Sequence, residues 1–409
     1  MTLQGKHILV GISGGIAAYK IPELIRLLKK AGADVQVTTT KHALEFVTSL
    51  TLQTLSGHKV YSDVFAAINE HSTEHISLPD WADMMIIAPA TANVLCKIAN
   101  GIADDALTTT FAAMRKPVVI APAMNTNMYE SPATQRAMRE LAEWENVTML
   151  DAASGFLACG TTGKGRMQEI EEIVAAAEYA LTPKTLTGKR VLITAGPTQE
   201  AIDPVRYITN ASTGKMGYAL ARACLNRGAV VRLVSGPCPT QIVHVPTLYQ
   251  ASATPLLEVI PVVSSAEMCE ATVGAFAEAD MAILCAAVAD FTPCETADKK
   301  IKKQPGQTEM SIHLKTTTDI AARLGQMKTE GQRLIGFALE THDEEANAAR
   351  KLQSKKLDMI VLNSLQDKGA GFGVDTNKVT LIYADGSKKN LPLLSKQEVA
   401  DAIINSINS

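Results

Sequence analysis

The chain has 409 residues, enough for two or three domains that each bury a hydrophobic core. Hydrophobic residues make up 46% of it and charged residues 20%, and the formal net charge of −3 gives no global basis for binding nucleic acid. No apolar run approaches the roughly 20 residues of a membrane-spanning helix, and the N-terminus lacks a signal-peptide pattern, so we expect a cytoplasmic protein without membrane partners.

The first half alternates strand-like apolar runs with helical patterns, which predicts a parallel sheet covered by helices. Its first strand breaks into a glycine loop at Gly14 and Gly15, as in α/β proteins that bind a nucleotide or phosphate there. The expected elements are strands at residues 7–11, 35–39, 84–88, 117–121 and 147–150, and helices at 16–31 and from about 131.

The scheme restarts at Gly188, after proline and small polar residues at 181–188. We therefore predict domains at residues 1–184 and 185–409. The predicted fold class is α/β, with two three-layer Rossmann-like domains, the first flavodoxin-like and the second with a mainly parallel sheet. The elements expected in the second domain are strands at 191–194, 230–234, 281–285, 333–337 and 359–362, a helix at 214–227, and a hairpin of 380–383 with 390–394 before a last helix.

Neither glycine loop carries the dinucleotide fingerprint. The spacing of Gly11, Gly14 and Gly15 is not G-x-G-x-x-G, and no acidic residue follows the second strand to hold a ribose. The second strands end instead in hydroxyls, at Thr39 and Ser235. This favours a mononucleotide held through its phosphate, and it weakens the alternative of an NADP-dependent reductase.

Two other sequence motifs resemble a zinc site and a phosphate-binding loop, but the surrounding sequence or the spacing does not support either. Residues 71–75 spell H-x-x-E-H, but the surrounding sequence supports only a short helix, so zinc is not expected and His71 is interpreted as a surface residue. Residues 159–165 resemble a phosphate-binding loop but have the wrong spacing.

The seven cysteines include no C-x-x-C pair, which argues against disulfides or a thiolate metal site. Only Cys159, between glycines, suits a mobile lid that carries an acid.

Polar loops follow the strands at both expected sheet edges. In the first half, 89–93 and 122–129 converge where a planar cofactor could lie, although Asn125 could instead cap the next helix. In the second half, Arg206 and Asn210 precede a Ser-Thr-Gly helix start that suits an anion. Asp290 could hold Mg²⁺ on triphosphate oxygens, with lysines at 299–303 nearby.

Several sequence motifs follow one another along the chain in an order that matches one protein family. They are residues 75–78, Pro-Ala-Met-Asn at 122–125, 157–167, 193–198, 203–210, 286–290 and 300–303. From about Lys6 onward the chain resembles the bacterial bifunctional phosphopantothenoylcysteine decarboxylases and phosphopantothenate–cysteine ligases of coenzyme A biosynthesis. The resemblance implies an FMN-dependent decarboxylase followed by a ligase that uses CTP and Mg²⁺.

For the decarboxylase, the resemblance implies three roles: His75 is the base, Asn125 holds the substrate carboxylate, and Cys159 donates a proton. FMN oxidises the substrate thiol to a thioaldehyde, which provides the electron sink for loss of CO₂, and later returns the electrons. The implied FMN-binding residues are Ser13, Gly14, Thr39, Thr91, Asn93 and Ala123.

For the ligase, the resemblance implies that CTP converts 4'-phosphopantothenate to an acyl-cytidylate, from which the amine of L-cysteine displaces CMP with help from Asn210. Arg206 is our own assignment to a substrate phosphate. The implied nucleotide and substrate contacts are Asp290, Lys300, Thr318, Asp319, Ile320, Ala321, Phe337, Lys351 and Lys355, with Asp290 also on the metal and Lys300 also catalytic.

The chain departs from the family pattern at Tyr129, Thr213 and residues 161–162, but it keeps each named catalytic group. The resemblance also implies a homo-oligomer, with a ligase dimer and a decarboxylase trimer or higher assembly. A flavin-binding regulatory subunit of the same fold is the remaining alternative. The stretch 238–260 receives no function from its sequence.

Overall fold

The computed structural model divides the chain into two compact units. The first comprises Met1–Pro183 with His244–Thr254, and the second comprises Lys184–Val243 with Pro255–Ser409. A segment from the second half of the sequence thus belongs to the first unit, which no sequence pattern indicated. The structure describes residues 3–65, 74–156, 160, 162–249, 255–340, 344–364 and 373–407.

The first unit contains a six-stranded sheet and a separate two-stranded hairpin. Its strands are β1 (His7–Ile12), β2 (Asp34–Thr39), β3 (Val60–Tyr61), β4 (Met84–Ala90), β5 (Val118–Pro122), β6 (Val147–Met149), β7 (Ala153–Phe156) and β8 (Thr162–Arg166). The six strands are parallel in the order β3-β2-β1-β4-β5-β6, and β7 pairs with β8. The order reverses between β1 and β4, where α/β sheets form their ligand crevice.

Helices cover both faces of this sheet. They are α1 (Ile21–Lys30), α2 (Ser49–Ser56), α3 (Glu74–Trp81), α4 (Ala92–Ala99), α5 (Ala106–Ala113), α6 (Thr126–Glu130), α7 (Pro132–Ala142) and α8 (Ile170–Leu181). Successive residues of a strand point to opposite faces, so Val10 packs with α1 and α8, whereas Leu9 packs with α4, α5 and α7. The result is a three-layer unit.

The second unit repeats the plan with a larger sheet. Its strands are β9 (Arg190–Ala195), β10 (Gln199–Ala201), β11 (Tyr207–Thr209), β12 (Val230–Ser235), β13 (Leu257–Pro261), β14 (Met281–Leu284), β15 (Phe291–Pro293), β16 (Leu314–Thr316), β17 (Arg333–Glu340), β18 (Met359–Ser364), β19 (Thr376–Asn377), β20 (Val379–Tyr383), β21 (Lys388–Asn390) and β22 (Leu394–Ser395). The main sheet has the order β13-β12-β9-β14-β17-β18-β20-β21, parallel except for its last two strands. Its helices are α9 (Lys215–Asn226), α10 (Ser265–Phe276), α11 (Ile320–Met327), α12 (Glu344–Ser354) and α13 (Lys396–Ile407).

These elements confirm the predicted α/β fold class. The terminal hairpin is also confirmed as β20 and β21, turning at Gly386 with a φ of +84°, although its second strand lies slightly earlier than predicted. The helix predicted at 16–31 is instead a 3₁₀ helix at Ile16–Lys20 followed by α1, with a proline in the first turn of α1, where its missing N–H costs nothing. Among the described residues, no helix is long and apolar enough to cross a bilayer.

Helix α11 lies very close to the segment that follows α12. A Cβ at Gly325 would lie 2.0 Å from the carbonyl oxygen of Lys355, whereas a Cβ at Gly274 in α10 would meet nothing within 4 Å. Alanine normally stabilises a helix interior relative to glycine by about 0.5–1 kcal/mol. Only a local backbone shift would accommodate it at Gly325.

We therefore expect opposite effects from two matched substitutions. Gly274→Ala should raise the free energy of unfolding by about 0.5–1 kcal/mol, and Gly325→Ala should lower it by about 1–3 kcal/mol. Urea unfolding of both full-length variants would measure this. Stabilisation by Gly325→Ala would show that the helix can move away from Lys355.

Candidate functional sites

The crevice of the first unit is held by a serine hydroxyl. Oγ of Ser13, just after β1, donates to the carbonyl oxygen of Pro89 at 2.7 Å and accepts from the N–H of Thr91 at 3.0 Å. The adjacent Gly14 passes so close to His42 that a Cβ would lie 2.6 Å from the Cβ of that residue. The structure therefore brings the predicted Ser13, Gly14 and Thr91 together at the reversal of strand order.

Three hydroxyls lie at the carboxyl end of β2. Within the described part of the chain, the Oγ1 atoms of Thr38, Thr39 and Thr40 are buried and have no hydrogen-bond partner. An unsatisfied buried hydroxyl costs about 1–3 kcal/mol, so three in succession at a sheet edge are unusual for packing alone. They suit a ligand that supplies hydrogen-bond partners.

The Asn125 loop continues the same edge. The N–H of Ala123 donates to the carbonyl oxygen of Ala90 at 2.9 Å, which holds the loop after β5 beside the end of β4. Oδ1 of Asn125 accepts from the N–H of Asn127 at 2.8 Å and so caps α6. The capping alternative for Asn125 is thus realised in the structure. Asn93, on α4, is exposed.

The β7–β8 hairpin packs directly on this loop. The N–H of Met124 donates to the carbonyl oxygen of Gly165 at 2.8 Å. A Cβ at Gly163 would lie 2.4 Å from Oγ1 of Thr126, and one at Gly165 would lie 2.3 Å from the carbonyl oxygen of Met124. Glycine is therefore required at both positions. Cys159, between these strands in the sequence, lies outside the described residues.

A partly buried carboxylate, that of Asp151, joins the hairpin to the Asn125 loop. Asp151 accepts from the hydroxyl of Tyr129 at 2.5 Å and from Nζ of Lys164 at 2.6 Å. Burial, and then the hydrogen bond to Asp151, raise the pKa of Tyr129, so its hydroxyl stays a donor. Sequence reasoning missed this network, because nothing in the spacing of Asp151 distinguishes it from a turn residue.

His75 lies in the first turn of α3 and is partly exposed, and His71 lies outside the described residues.

The second unit contains a cavity of about 640 Å³ at the carboxyl edge of its sheet. Nine of the predicted residues line it, drawn from segments far apart in the sequence: Asn210, Asp290, Thr318, Asp319, Ile320, Ala321, Phe337, Lys351 and Lys355. Because loops after several parallel strands meet at one edge of a sheet, the fold brings these distant residues together.

Two helix N-termini reach this cavity. Helix α9 begins after Gly214, which has a φ of +77°, and its Gly217 approaches β9 so closely that a Cβ would lie 2.5 Å from the Cβ of Ala195. Helix α11 begins at Asp319, whose Oδ1 accepts from the N–H of Ala322 at 3.0 Å. Backbone N–H groups and helix dipoles at such ends favour phosphate.

Lys351 and Lys355 place two ammonium groups in the same cavity. Nζ of Lys355 lies 2.9 Å from Oδ2 of Asp319. Burial raises the pKa of the Asp319 carboxyl, but hydrogen bonds from Ala322 and Lys355 together outweigh that effect, so the pKa is lowered. The carboxylate is therefore charged and orients Lys355.

Asn210, which also lines the cavity, is held in place by two hydrogen bonds. Its Nδ2 donates to the carbonyl oxygens of Ala287 at 3.0 Å and Val288 at 3.2 Å. Cys285 lines the cavity too, but burial raises the pKa of its thiol to about 12, so it is not a nucleophile near neutral pH. Lys396, another lining residue that sequence reasoning missed, has its pKa lowered by burial and then by Lys215.

Family models match both halves of the chain. Residues 1–181 match the Flavoprotein family, and residues 186–409 match the DNA/pantothenate metabolism flavoprotein C-terminal domain. The coenzyme A biosynthesis bifunctional protein CoaBC of Bacillus subtilis (strain 168) is 49% identical over 99% of this chain and 97% of its own length. The chain belongs to the CoaBC family.

Two further relatives are also similar to this chain over most of its length. CoaBC of Escherichia coli (strain K12) is 40% identical over 100% of this chain and 98% of its own length. A cysteine/cysteine sulfinic acid decarboxylase from an unknown prokaryotic organism is 50% identical over 88% of this chain and 98% of its own length. Family membership confirms the predicted enzyme class. The chain is a bifunctional enzyme of coenzyme A biosynthesis, a decarboxylase and a ligase that act on small molecules.

Two predicted ligase residues do not line the cavity. The guanidinium of Arg206 pairs with Asp203 and donates to the carbonyl oxygen of Ile301 at 2.9 Å, so it anchors the loop of residues 299–303. Its hydrogen bond is the main cause of the lowered pKa of Asp203. Lys300 in that loop is exposed. Among the described residues, no cluster of three or more His, Cys, Asp or Glu side chains could hold a metal ion.

Proposed function

We propose that the second unit joins L-cysteine to 4'-phosphopantothenate with CTP and Mg²⁺, and that the first unit decarboxylates the product with FMN. The observation that carries the proposal is the contrast between the two sheet edges. One has buried hydroxyls without partners in the described chain, and the other has a cavity lined by lysines, Lys351 and Lys355 among them, and by two helix N-termini. The first suits a flavin mononucleotide and the second a triphosphate.

The residues of the first crevice fit FMN. Thr39 presents an unpartnered buried hydroxyl, and the missing side chain of Gly14 lets His42 pack closely against the loop after β1. When bound, FMN would take up two electrons as the substrate thiol is oxidised to a thioaldehyde, which makes loss of CO₂ feasible, and would later return them to the product. We assign its binding to Ser13, Gly14, Thr39, Thr91, Asn93 and Ala123.

Three side chains are proposed to handle the substrate of the decarboxylase. His75 accepts a proton as the base, Asn125 donates to the substrate carboxylate, and Cys159 returns a proton to carbon after CO₂ has left. The capping bond made by Asn125 Oδ1 supports this role, because it fixes the rotation of the side-chain amide. The fit of the β7–β8 hairpin on the Asn125 loop supports a shared site.

The ligase reaction has two balanced steps. The carboxylate of 4'-phosphopantothenate attacks the α-phosphorus of CTP, which forms the acyl-cytidylate and releases pyrophosphate. The cysteine amine then attacks the acyl carbon, loses a proton and displaces CMP. Lys351 and Lys355 stabilise negative charge on the phosphates, and Phe337 and residues 318–321 contact the nucleotide.

Mg²⁺ is proposed to be held largely by the nucleotide. Two carboxylates line the cavity, Asp290 and the Asp319 that pairs with Lys355, and Mg²⁺ commonly binds through one or two carboxylates together with substrate phosphates and water. The roles proposed for Lys300 and Arg206 depend on a rearrangement of the loop of residues 299–303.

We also propose a homo-oligomer that works in the cytoplasm. The first unit exposes large apolar side chains at Ile16, Tyr19, Leu50 and Phe65, with Phe65 92% exposed. Exposed apolar side chains become contact surfaces where they adjoin one another. This supports self-association through the first unit.

The overall function is tested on the full-length protein. We expect the purified chain to be yellow and, given 4'-phosphopantothenate, L-cysteine, CTP and Mg²⁺, to release pyrophosphate first and CO₂ afterwards. Pyrophosphate without CO₂ would leave only the ligase. No turnover together with stoichiometric capture of another protein would favour the regulatory subunit, and oxidation of NADPH would favour the reductase.

Thr39→Val tests the flavin site without changing side-chain shape. Removing an unsatisfied buried hydroxyl should stabilise the FMN-free protein by about 1 kcal/mol, whereas losing a hydrogen bond to FMN should raise its Kd about fivefold to tenfold. Thr272→Val is the control, because that hydroxyl in α10 is also buried without a partner in the described chain. It should give the same stabilisation with no change in FMN affinity. Fluorescence titration and urea unfolding measure both quantities, and unchanged FMN binding by Thr39→Val would contradict the assignment.

Lys355→Gln tests the triphosphate site. The loss of one charge against phosphate oxygens should raise the KM for CTP about tenfold or more. Lys356→Gln is the neighbouring control, since Lys356 is exposed and does not line the cavity. Pyrophosphate release at varied CTP concentration gives both values. Equal KM values in the two variants would remove Lys355 from the nucleotide site.

A further inference from the structure

Residues 247–249, which we call the edge segment, lie along the outer edge of the first unit's sheet. The N–H of Asp151 donates to the carbonyl oxygen of Thr247 at 2.8 Å, and the N–H of Tyr249 donates to the carbonyl oxygen of Met149 at 2.9 Å. The segment comes from the second half of the sequence but belongs to the first unit. It therefore covers a sheet edge that would otherwise expose unpaired backbone groups.

The edge segment also contributes to the core. Leu248 forms an antiparallel bridge with Leu150 and packs against the core on the α1 and α8 side. Tyr249 is only 8% exposed and packs into the core on the other side of the sheet. Its two apolar side chains thus reach both faces, which makes the segment an integral part of the unit.

One chain of hydrogen bonds leads from the edge segment to the Asn125 loop. The Tyr249 hydroxyl donates to Oε1 of Gln135 at 2.9 Å, and Nε2 of Gln135 donates to the carbonyl oxygen of Tyr129 at 2.7 Å. The N–H of Tyr129 in turn donates to the carbonyl oxygen of Asn125 at 2.9 Å. Tyr249 is therefore three hydrogen bonds from the backbone of Asn125.

A second chain leads to the β7–β8 hairpin. Thr247 holds the backbone of Asp151, whose carboxylate binds both the Tyr129 hydroxyl and Nζ of Lys164 on β8. The carbonyl oxygen of Asp151 also accepts from Nε2 of Gln168 at 3.0 Å. The first chain reaches the backbone carbonyl of Tyr129, and the second reaches the Tyr129 hydroxyl as well as Lys164 through Asp151, so the loop and the hairpin share one anchor at the edge segment.

We propose that the edge segment positions the decarboxylase site, with Tyr249 as the positioning residue that acts through Gln135 and Tyr129. This rests on the proposed role of Asn125 in the first unit. The proposal means that the second half of the sequence supplies a working part of the first active site. It also gives a physical reason for both activities to share one polypeptide.

Tyr249→Phe in the full-length protein tests this with the least disturbance, because it removes the hydroxyl and keeps the buried ring. We expect kcat for decarboxylation of supplied 4'-phosphopantothenoylcysteine to fall about fivefold, which corresponds to one ordinary hydrogen bond. KM and the rate of pyrophosphate release should stay unchanged. Hydrogen exchange should become faster at residues 125–130 and 162–166.

A second variant tests the route. In a Gln135→Met background, Tyr249→Phe should have no further effect on kcat, because the residue through which it acts is already lost. Tyr383→Phe, in the second unit, is the matched control and should leave decarboxylation and exchange unchanged. Leu248→Asp should release the whole segment and give a larger loss of CO₂ production, whereas Ile242→Asp, at a side chain 72% exposed, should not.

The outcomes separate this proposal from the proposed function. Unchanged exchange at residues 125–130 and 162–166 in Tyr249→Phe would overturn positioning, and so would a parallel fall of both activities with a lower melting temperature. Additive effects of Tyr249→Phe and Gln135→Met would overturn the route. If the wild-type chain released no CO₂, the proposed function would fail, while the exchange comparison would still decide the positioning of the loop and hairpin.

Discussion

Both sheets of this protein depend on a hydroxyl placed where the strand order reverses. Parallel strands end together at such a point, and their last backbone groups lack strand partners. Ser13 bridges the ends of β1 and β4 in the first unit, and Oγ1 of Thr194 accepts from the N–H of Ala286 at 3.2 Å in the second. Oγ1 of Thr198 makes a similar hydrogen bond, accepting from the N–H of Ala289 at 3.0 Å. These bonds hold the crevices open and fix the loops that line them.

The same architecture nevertheless supports two unlike sites, because the groups added to each edge differ. The first edge has buried neutral hydroxyls and a glycine hairpin packed on the Asn125 loop. The second has helix N-termini and paired charges such as Lys355 with Asp319, which hold their orientation in a cavity. Neutral donors suit a flavin, whose chemistry the cofactor supplies, whereas phosphoryl chemistry needs fixed positive charge.

The units are not simple successive pieces of the sequence. Because Leu248 and Tyr249 pack against the core of the first unit, a segment from the second half of the sequence completes the first sheet edge. Edge strands are a liability unless they are covered, and here the cover is also hydrogen bonded to the network around Asp151. The three residues of the edge segment thus cover the sheet edge and also position the decarboxylase site.

Hydrophobic periodicity and glycine loops determined from the sequence alone that there are two α/β units, because alternation of short strands and amphipathic helices has few other solutions. The family resemblance also indicated nine of the residues that line the cavity of the second unit. Tertiary structure decided what depends on contacts between distant residues: that Arg206 pairs with Asp203 away from the cavity, that Asp151 joins Tyr129 to Lys164, and that Tyr249 belongs to the first unit. Such contacts leave no local pattern, since they are set by which loops and edges the folded sheets bring together.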